Sequence, residues 1–226
     1  MSEIKIRPVA RIKNGFNEKF GVPRQSGLAP LVKSEIVFES EFRDENMIRG
    51  IEQYSHLWLI WGFSENEQKW SPTVRPPKLG GNKRVGVFAT RSPFRPNSLG
   101  LSVVKLEEVK NTANGKVLVV SGADLKNDTP IFDIKPYLPY VESIPYANGG
   151  FSDEYKDEVV QVEISENIKS ELSDEETSEI VGILSLNPRP AYQEDEERIY
   201  GVSYKDLSIK FICKGEKIIV KSIERV

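Results

Sequence analysis

Short apolar segments dominate the first 146 residues, and none of them is followed by a long helical segment. Ile4 to Lys13 alternates apolar and polar residues, and Ser34 to Glu39 predicts a second strand. His56 to Phe63 is almost entirely apolar, which predicts a strand buried on both faces. Only Asp44 to Gln53 has helical spacing. The absence of strand–helix–strand alternation argues against a doubly wound parallel sheet and predicts a mainly β fold, either a β-barrel or a sandwich.

The later part of the chain predicts a hairpin and then a smaller unit. Ser98–Val109 and Lys116–Ser121 flank the turn Asn114-Gly115, a pair that favours a tight hairpin. The sequence Ala147-Asn148-Gly149-Gly150 is the best candidate for a domain boundary. We therefore expect an N-terminal β domain over residues 1–147 and a small α+β domain over residues 148–226.

The C-terminal unit has its own start and stop signals. A strand is predicted over Glu158–Ile164, and Ser173 with Glu176 forms a capping-box pattern that opens a helix. Three short strands follow, near residues 199–204, 207–213 and 217–223. A domain of this size is marginal alone, so we expect it to pack on the first domain.

The segment from Val85 to Val104 has the clearest signs of a functional loop. Pro93 and Pro96 restrict the backbone between two apolar segments, and Arg91 and Arg95 offer forked donors that suit phosphate or carboxylate. The alternative is a surface turn with solvated arginines.

Charge is distributed unevenly along the chain. The net charge is −3, yet no Asp or Glu occurs from Gln68 to Leu106, where eight Lys and Arg residues lie. Such a block favours a polyanionic partner such as nucleic acid. The net negative charge of the whole chain argues against a protein that binds DNA of any sequence.

Several classes of site are disfavoured by composition. His56 and Cys213 are the only residues of their types, so a cysteine–histidine nucleophile and a histidine- or cysteine-based metal site are not expected. No Gly-x-Gly-x-x-Gly motif follows a strand. The start of the chain has no signal-peptide pattern, no apolar run is long enough for a membrane span, and a lone cysteine fits a reducing compartment. We therefore expect a cytoplasmic protein without bound metal.

Four stretches together carry a family resemblance. They are Val22-Pro23-Arg24-Gln25, the segment PTVRPPKLGG (72–81), the segment GVFATRSPFRPNSLG (86–100) and DIKPYLPY (133–140), and PRPAY (188–192) accompanies them. The chain resembles the TsaA/TrmO family of S-adenosylmethionine-dependent tRNA methyltransferases. The resemblance implies an N-terminal β-barrel that binds the cofactor, a small C-terminal domain and a homodimer. The implied reaction puts a methyl group on N6 of the threonylcarbamoyl-adenosine 3′ of the anticodon of tRNA.

The resemblance also implies which residues contact the cofactor. The matching positions supply a donor fork, amide and backbone groups for an adenine edge, and apolar surface. They are Pro23, Arg24, Gln25, Ser64, Glu65, Arg91, Leu101, Thr129, Pro130, Ile131 and Phe132. Some relatives carry His-Gln at the positions of Ser64 and Glu65.

The resemblance places catalytic and tRNA-binding residues in the remaining motifs. Asp133 is the preferred proton acceptor, with Tyr137 to stack or donate, and Asn187 stands where relatives often have Asp. The candidate tRNA-binding residues are Arg75, Lys78, Arg95, Lys135, Arg189 and Tyr192. Two other hypotheses are a non-catalytic RNA-binding barrel and a methyltransferase of the same fold acting on a small substrate.

Overall fold

The computed structural model describes residues 4–66, 69–155, 159–189, 193 and 195–226, and it confirms the mainly β class. Twelve strands occur among the described residues: β1 Ala10–Lys13, β2 Lys33–Phe38, β3 His56–Gly62, β4 Thr73–Val74, β5 Val85–Gly86, β6 Leu99–Thr112, β7 Gly115–Ser121, β8 Pro130–Pro136, β9 Gln161–Glu163, β10 Tyr200–Tyr204, β11 Leu207–Lys214 and β12 Lys217–Arg225. The α-helices are α1 Pro139–Glu142, α2 Glu166–Lys169 and α3 Asp174–Ser185. None of the helices in the described ranges is long and apolar enough to cross a membrane.

Six antiparallel strands form the larger sheet, which closes on itself. The strand order is β1-β2-β7-β6-β3-β8, and β8 pairs back with β1 through Ala10 and Ile131. We call this the closed sheet. The hairpin predicted across Asn114-Gly115 is confirmed as β6–β7. Inward side chains such as Leu57, Leu59 and Leu118 are fully buried and form the core of this sheet.

The expectation that the strand from His56 is buried on both faces was wrong. Burial alternates along β3, so that Leu57, Leu59 and Trp61 point into the closed sheet while Trp58 and Ile60 are only half buried. The indole of Trp58 donates a hydrogen bond to Glu142 Oε1 (2.7 Å) on α1. The closed sheet encloses a single core, so only its inner face requires full burial.

The expected strand from Ile4 is shorter than the sequence pattern indicated. Pairing with β2 begins at Ala10, and Ile4 and Ile6 are exposed. Pro8 has no backbone N–H to contribute to a ladder, and the partner strand β2 ends at Phe38 opposite Ala10. Val9 still donates to the carbonyl of Ile131 (2.8 Å) and accepts from Glu39 N (3.0 Å), so the regular strand begins only where Pro8 no longer interrupts it.

The helix expected over Asp44–Gln53 is two 3₁₀ turns, Glu45–Ile48 and Ile51–Gln53. Gly50 lies between them with φ of 86°, a left-handed conformation that interrupts any continuous helix. Ile48 and Ile51 still pack against the core of the closed sheet. The spacing predicts an inward face shared by Met47, Ile48 and Ile51, but Met47 is 58% exposed, so that face was predicted only in part and the helix type was wrong.

The C-terminal sheet has the order β10-β11-β12-β9, with β9 parallel to β12 and the other pairs antiparallel. Helix α3 buries Ile180, Ile183 and Leu184 against this sheet, as its spacing predicts. The capping box predicted at Ser173 is present: Glu176 N donates to Ser173 Oγ (3.2 Å), and Ser173 N donates to Glu176 Oε2 (2.8 Å).

The long loop that follows β1 joins the two sheets. Phe16, Ala29 and Val32 are buried in the core of the C-terminal sheet, although they precede β2 in the sequence. A Cβ on Gly15 would lie 2.7 Å from the ring of Tyr204, so the loop runs directly against that sheet. This packing fixes the loop at the junction of the two sheets.

Glu176 should make the stability of the C-terminal unit depend on acid. Hydrogen bonds from Ser173 and Arg225 lower its pKa from 4.5 to about 2. A carboxylate with a depressed pKa stabilises the fold fully above its ordinary value, and this stabilisation is lost as the pH falls toward the folded value. In urea unfolding, the stability advantage of the wild type over Glu176→Gln should therefore shrink between about pH 5 and about pH 2.

Glutamine suits this comparison because it also completes a capping box, so that the difference reports the charge. A difference that stays constant over this pH range would contradict the assigned pKa shift.

Candidate functional site

A cavity of about 640 Å³ opens at the end of the closed sheet where β3 ends and β6 begins. Its walls come from the loop around Pro23, the end of β3, the loop before β6 and the turn before β8. The lining residues are Lys19, Val22, Pro23, Arg24, Gln25, Trp61, Gly62, Phe63, Ser64, Glu65, Asn66, Pro77, Thr90, Arg91, Pro93, Arg95, Leu99, Gly100, Leu101, Asp124, Lys126, Asn127 and Thr129. Four segments that are remote in sequence therefore meet at one place.

The loop before β6 is held by its own backbone and by Arg95. The guanidinium of Arg95 donates to the carbonyl oxygens of Thr90 (3.0 Å) and Ser92 (3.2 Å). Ser98 adopts a positive φ of 37° and donates to the carbonyl of Pro93 (3.3 Å). The stiff loop predicted from its prolines is therefore reinforced by an arginine that the sequence suggested for tRNA.

Arg91 joins the two loops that carry the cofactor motifs. Its Nη1 donates to Gln25 Oε1 at 2.6 Å, across 66 residues of sequence. The side chain of Arg91 is otherwise exposed at the cavity wall. Only one of its five N–H groups is engaged in this bond, so the fork retains donors for a carboxylate in the cavity.

Arg24 faces the C-terminal unit as well as the cavity. Its Nη2 donates to the carbonyl oxygens of Asn187 (3.4 Å) and Arg189 (3.2 Å). Burial lowers the pKa of Arg24, and burial together with the charge of Arg24 lowers the pKa of Lys78. Arg24 thus links the cavity to the segment that begins the PRPAY motif.

A buried polar chain that the sequence did not suggest runs from Trp61 to Asp124. Trp61 Nε1 donates to Ser102 Oγ (2.9 Å), and Ser102 Oγ donates to Asp124 Oδ1 (2.5 Å). Burial raises the pKa of Asp124, while Ser102 and Arg91 act in the opposite direction. The only advance signal was an acidic residue three positions after an apolar strand, which alone does not distinguish a site from a turn.

Ion pairs border the cavity near Ser64 and Glu65. Lys126 hydrogen-bonds Glu65 and lowers its pKa, and Lys19 Nζ lies 3.7 Å from the same carboxylate. Ser64 and Glu65, which were expected to contact the cofactor, both line the cavity. Leu101, which is 52% exposed, and the buried Thr129 also line it. Glu65 is therefore a neutralised rim group with its acceptors already engaged by lysines.

Three of the residues expected to contact the cofactor lie outside the cavity wall. Pro130 and Ile131 are buried, and Ile131 belongs to the core of the closed sheet. The ring of Phe132 packs over Gly62, where an added Cβ would lie 2.7 Å from it. The turn before β8 reaches the cavity through Thr129 instead.

Asp133, Lys135 and Tyr137 lie on the outer face of the closed sheet. Asp133 Oδ2 is 2.9 Å from Lys135 Nζ, and neither residue lines the cavity. In the strand register, Ile60 lies between Asp133 on one side and the cavity residue Leu101 on the other. The ring of Tyr137 lies 5.9 Å from that of Trp58.

The structure describes two of the three site residues expected in the C-terminal unit, Asn187 and Arg189. Asn187 has φ of 47°, and its Oδ1 is buried without a hydrogen-bond partner in the described part of the chain. Arg189 contributes its carbonyl oxygen to Arg24. Tyr192 lies outside the described residues. Neither Asn187 nor Arg189 lines the main cavity.

The cavity has the size and composition of a site for a small organic cofactor. Its volume falls within the range of about 300–1,000 Å³ that is typical of ligand sites. Trp61, Leu101 and Pro23 provide apolar surface, and Arg91 provides the fork for a carboxylate. Among the described residues, no group of three or more His, Cys, Asp or Glu could hold a metal ion.

Two family models match this chain. A model described as the tRNA-methyltransferase O N-terminal domain matches residues 11–143, and one described as the TrmO C-terminal domain matches residues 157–226.

Similar proteins cover nearly the whole chain. An Escherichia coli protein named tRNA (adenine(37)-N6)-methyltransferase is 38% identical over 220 residues, which span 93% of this chain and 94% of that protein. A Pseudomonas aeruginosa protein, 39% identical over 90% of each chain, has S-adenosylmethionine-dependent methyltransferase in its name. A crystal structure of TrmO from P. aeruginosa superposes with a TM-score of 0.81 at 30% identity, covering 100% of this chain and 99% of the other.

Proposed function

This chain belongs to the TrmO family, and from that premise we propose that it is an S-adenosylmethionine-dependent tRNA (adenine-N6)-methyltransferase. The methyl group goes to N6 of the threonylcarbamoyl-adenosine 3′ of the anticodon. The observation that carries the proposal is the cavity at which Arg91 and Gln25 meet, since both belong to the family motifs and line one site. The closed sheet is then the barrel that holds the cofactor.

The residues at the cavity fit S-adenosylmethionine. The guanidinium of Arg91 binds the carboxylate of its amino acid part, since a planar fork matches a carboxylate. Trp61, Leu101 and Pro23 contact the apolar surface of the adenosine part, and Gln25 keeps Arg91 in place. Asp124 offers a carboxylate oxygen to the cationic side of the cofactor or to its amino group.

The chain contributes alignment and a proton acceptor. When bound, S-adenosylmethionine supplies a methyl group on a cationic sulfur, with a neutral thioether as the leaving group. The lone pair of the N6 nitrogen is delocalised, so a nearby base must orient this group and take its proton. We assign this task to Asp133. It lies on the outer face of the closed sheet, as does the cavity residue Leu101, and only the strand β3 separates the two. Two strand spacings put their backbone positions roughly 10 Å apart.

The experiment combines cofactor binding with methyl transfer. The wild type should unfold at a higher temperature with S-adenosylmethionine present and should transfer a labelled methyl group to tRNA. Asp133→Asn should keep the thermal shift and lose about 100-fold or more of the transfer rate. The matched control is Asp128→Asn, since Asp128 is exposed, pairs with Lys13 and does not line the cavity.

A chain that binds tRNA with steep salt dependence, shows no thermal shift and transfers no methyl group would contradict the proposal and favour a non-catalytic RNA-binding protein. Full activity of Asp133→Asn would refute only the assignment of the base.

The homodimer and the cytoplasmic location belong to the same proposal. The segment that follows β8 exposes a row of large apolar side chains, with Tyr140 at 82%, Ile144 at 69% and Tyr146 at 98% exposure. Exposed apolar residues in such a row are typical of an interface between subunits. Sedimentation of the purified chain tests the dimer. The single free cysteine, Cys213, is buried and fits a reducing compartment.

A further inference from the structure

We call the segment from Gln68 to Leu106, which contains no Asp or Glu, the acid-free segment. Three of its aromatic side chains are exposed and belong to neither hydrophobic core. Trp70 is 59% exposed, Phe88 is 77% exposed and Phe94 is 49% exposed. Large apolar groups of this kind on a polar loop suggest contact with a partner.

The three residues are built on one small unit beside the cavity. Ser71 N, next to Trp70, donates to the carbonyl of Phe94 (3.2 Å). Val87 N, next to Phe88, donates to the carbonyl of Pro72 (3.0 Å). Strands β4 and β5 pair within this unit. The aromatic residues therefore share one supporting framework and are not on independent loops.

Phe94 connects this unit directly to the cavity. Its two neighbours in sequence, Pro93 and Arg95, both line the cavity. Phe94 N donates to Ser92 Oγ (3.3 Å), which fixes the backbone at the point where the ring leaves the surface. The exposed ring of Phe94 therefore belongs to a residue whose two neighbours form part of the cavity wall.

Phe88 is held in place by Arg95. The guanidinium carbon of Arg95 lies 5.9 Å from the centre of the Phe88 ring, and the same guanidinium is anchored to the carbonyls of Thr90 and Ser92. The hydroxyl of Thr90 in turn donates to the carbonyl of Val87 (2.9 Å). The groups beside the ring are anchored, so only the ring itself must be ordered when a partner stacks on it.

The charge of the surroundings indicates the kind of partner. Arg75, Lys83 and Arg84 are exposed on the same segment, and no Asp or Glu occurs in the sequence between Gln68 and Leu106. Exposed aromatic rings among cations are the features that bind single-stranded nucleic acid, through base stacking and phosphate contacts. A second copy of this chain in a symmetric contact would bring cations against cations.

We propose that Phe88 and Phe94 are stacking platforms for the unpaired bases of the tRNA anticodon loop next to the base in the active site, with Trp70 extending this surface. The inference rests on the proposed function and adds the surface that receives the substrate. Stacking tolerates any base, so these residues contribute affinity for the loop and do not select one tRNA sequence.

The test measures RNA binding separately from methyl transfer. Fluorescence anisotropy with a labelled anticodon stem-loop RNA gives Kd for the wild type, Phe88→Ala, Phe94→Ala and the double variant. Loss of one stacked base weakens binding about 5- to 150-fold by alanine substitution. We expect about tenfold for each single variant, with the thermal shift by S-adenosylmethionine unchanged. Phe88→Trp should retain wild-type affinity because the ring is kept.

The control is Tyr54→Ala, because Tyr54 is also an exposed aromatic residue, at 40%, but lies outside the acid-free segment. Melting temperatures of all variants check that each folds. An unchanged Kd in the double variant would overturn the inference. Alanine variants that sediment as smaller species but keep their RNA affinity would also overturn it, because the aromatic surface would then join two copies of the chain.

Failure of the proposed function would look different. A wild type that binds the stem-loop through Phe88 and Phe94 but methylates no tRNA would refute the enzyme and leave the stacking surface in place.

Discussion

Replacing Arg91 with alanine should remove most of the stabilisation that S-adenosylmethionine gives to the wild type and should lower kcat/KM by about 100-fold. Arg91 is the exposed guanidinium at the cavity wall, and its bond to Gln25 directs it there. Hydrogen bonds to a charged group contribute about 1.5–3 kcal/mol each, and the variant loses the whole fork.

The thermal-shift experiment gives this loss a defined size. At a cofactor concentration of about 100 times Kd, the wild type gains about 2.7 kcal/mol of stability from binding. A variant that binds about 100-fold more weakly gains only about 0.4 kcal/mol under the same conditions. Calorimetric or fluorescence-detected unfolding with and without the cofactor measures both values.

Two variants control for charge and for position. Arg91→Lys keeps the charge without the planar fork and should recover only part of the binding. Arg84→Ala removes an exposed arginine of the same segment that bonds Thr73 and does not line the cavity, so the cofactor shift should stay at its wild-type value. An undiminished shift in Arg91→Ala would show that Arg91 does not contact the cofactor.

Substituting Gly100 with alanine should destabilise the closed sheet by about 3 kcal/mol and distort the cavity. Gly100 pairs with Trp61 across β6 and β3, and an added Cβ would lie 2.2 Å from Trp61 Cε2. The indole cannot move aside without cost, because its Nε1 donates to the buried Ser102. Urea unfolding should show the lost stability, and binding of S-adenosylmethionine should weaken because both residues line the cavity.

Gly86→Ala is the matched control for this substitution. Gly86 lies on the same stretch of chain with φ of −58°, and a Cβ there would meet nothing within 4 Å. Its stability should change by less than about 0.5 kcal/mol. If Gly100→Ala and Gly86→Ala were equally stable, the close packing of Trp61 over β6 would be refuted.

Local signals were sufficient for much of the fold. Asn114-Gly115 predicted the β6–β7 hairpin because few residue pairs favour a tight turn as strongly, and the capping box at Ser173 predicted the start of α3. The Pro-rich loop before β6 was predicted to be stiff, and hydrogen bonds from Arg95 and Ser98 to its carbonyl oxygens support that prediction. These features depend on residues close together in sequence.

Features that depend on closure of the sheet were not predictable in the same way. The alternating burial of β3 and the early end of β1 follow from which strands become neighbours, and no local pattern encodes that. The insertion of Phe16 into the core of the C-terminal sheet also depends on contacts between segments remote in sequence.

The candidate site was predicted only in part for a related reason. Arg91 and Gln25 were each predicted from a separate motif, although their contact was not. The hydrogen-bonded chain from Trp61 through Ser102 to Asp124 connects β3, β6 and the segment after β7, and no single motif spans it. The outward position of Asp133 follows from the register of β8 against β3, which shifts at Ile60 and Trp61. A one-residue change of register moves a side chain to the other face of a sheet.

The most direct test of the account is the nucleoside product. tRNA that carries threonylcarbamoyl-adenosine is incubated with the wild-type chain and S-adenosylmethionine labelled in its methyl group, then digested and analysed by mass spectrometry with fragmentation. We predict one labelled methyl group on the N6 side of threonylcarbamoyl-adenosine and none in tRNA that lacks this modification. Label in another nucleoside, or in none, would contradict the account.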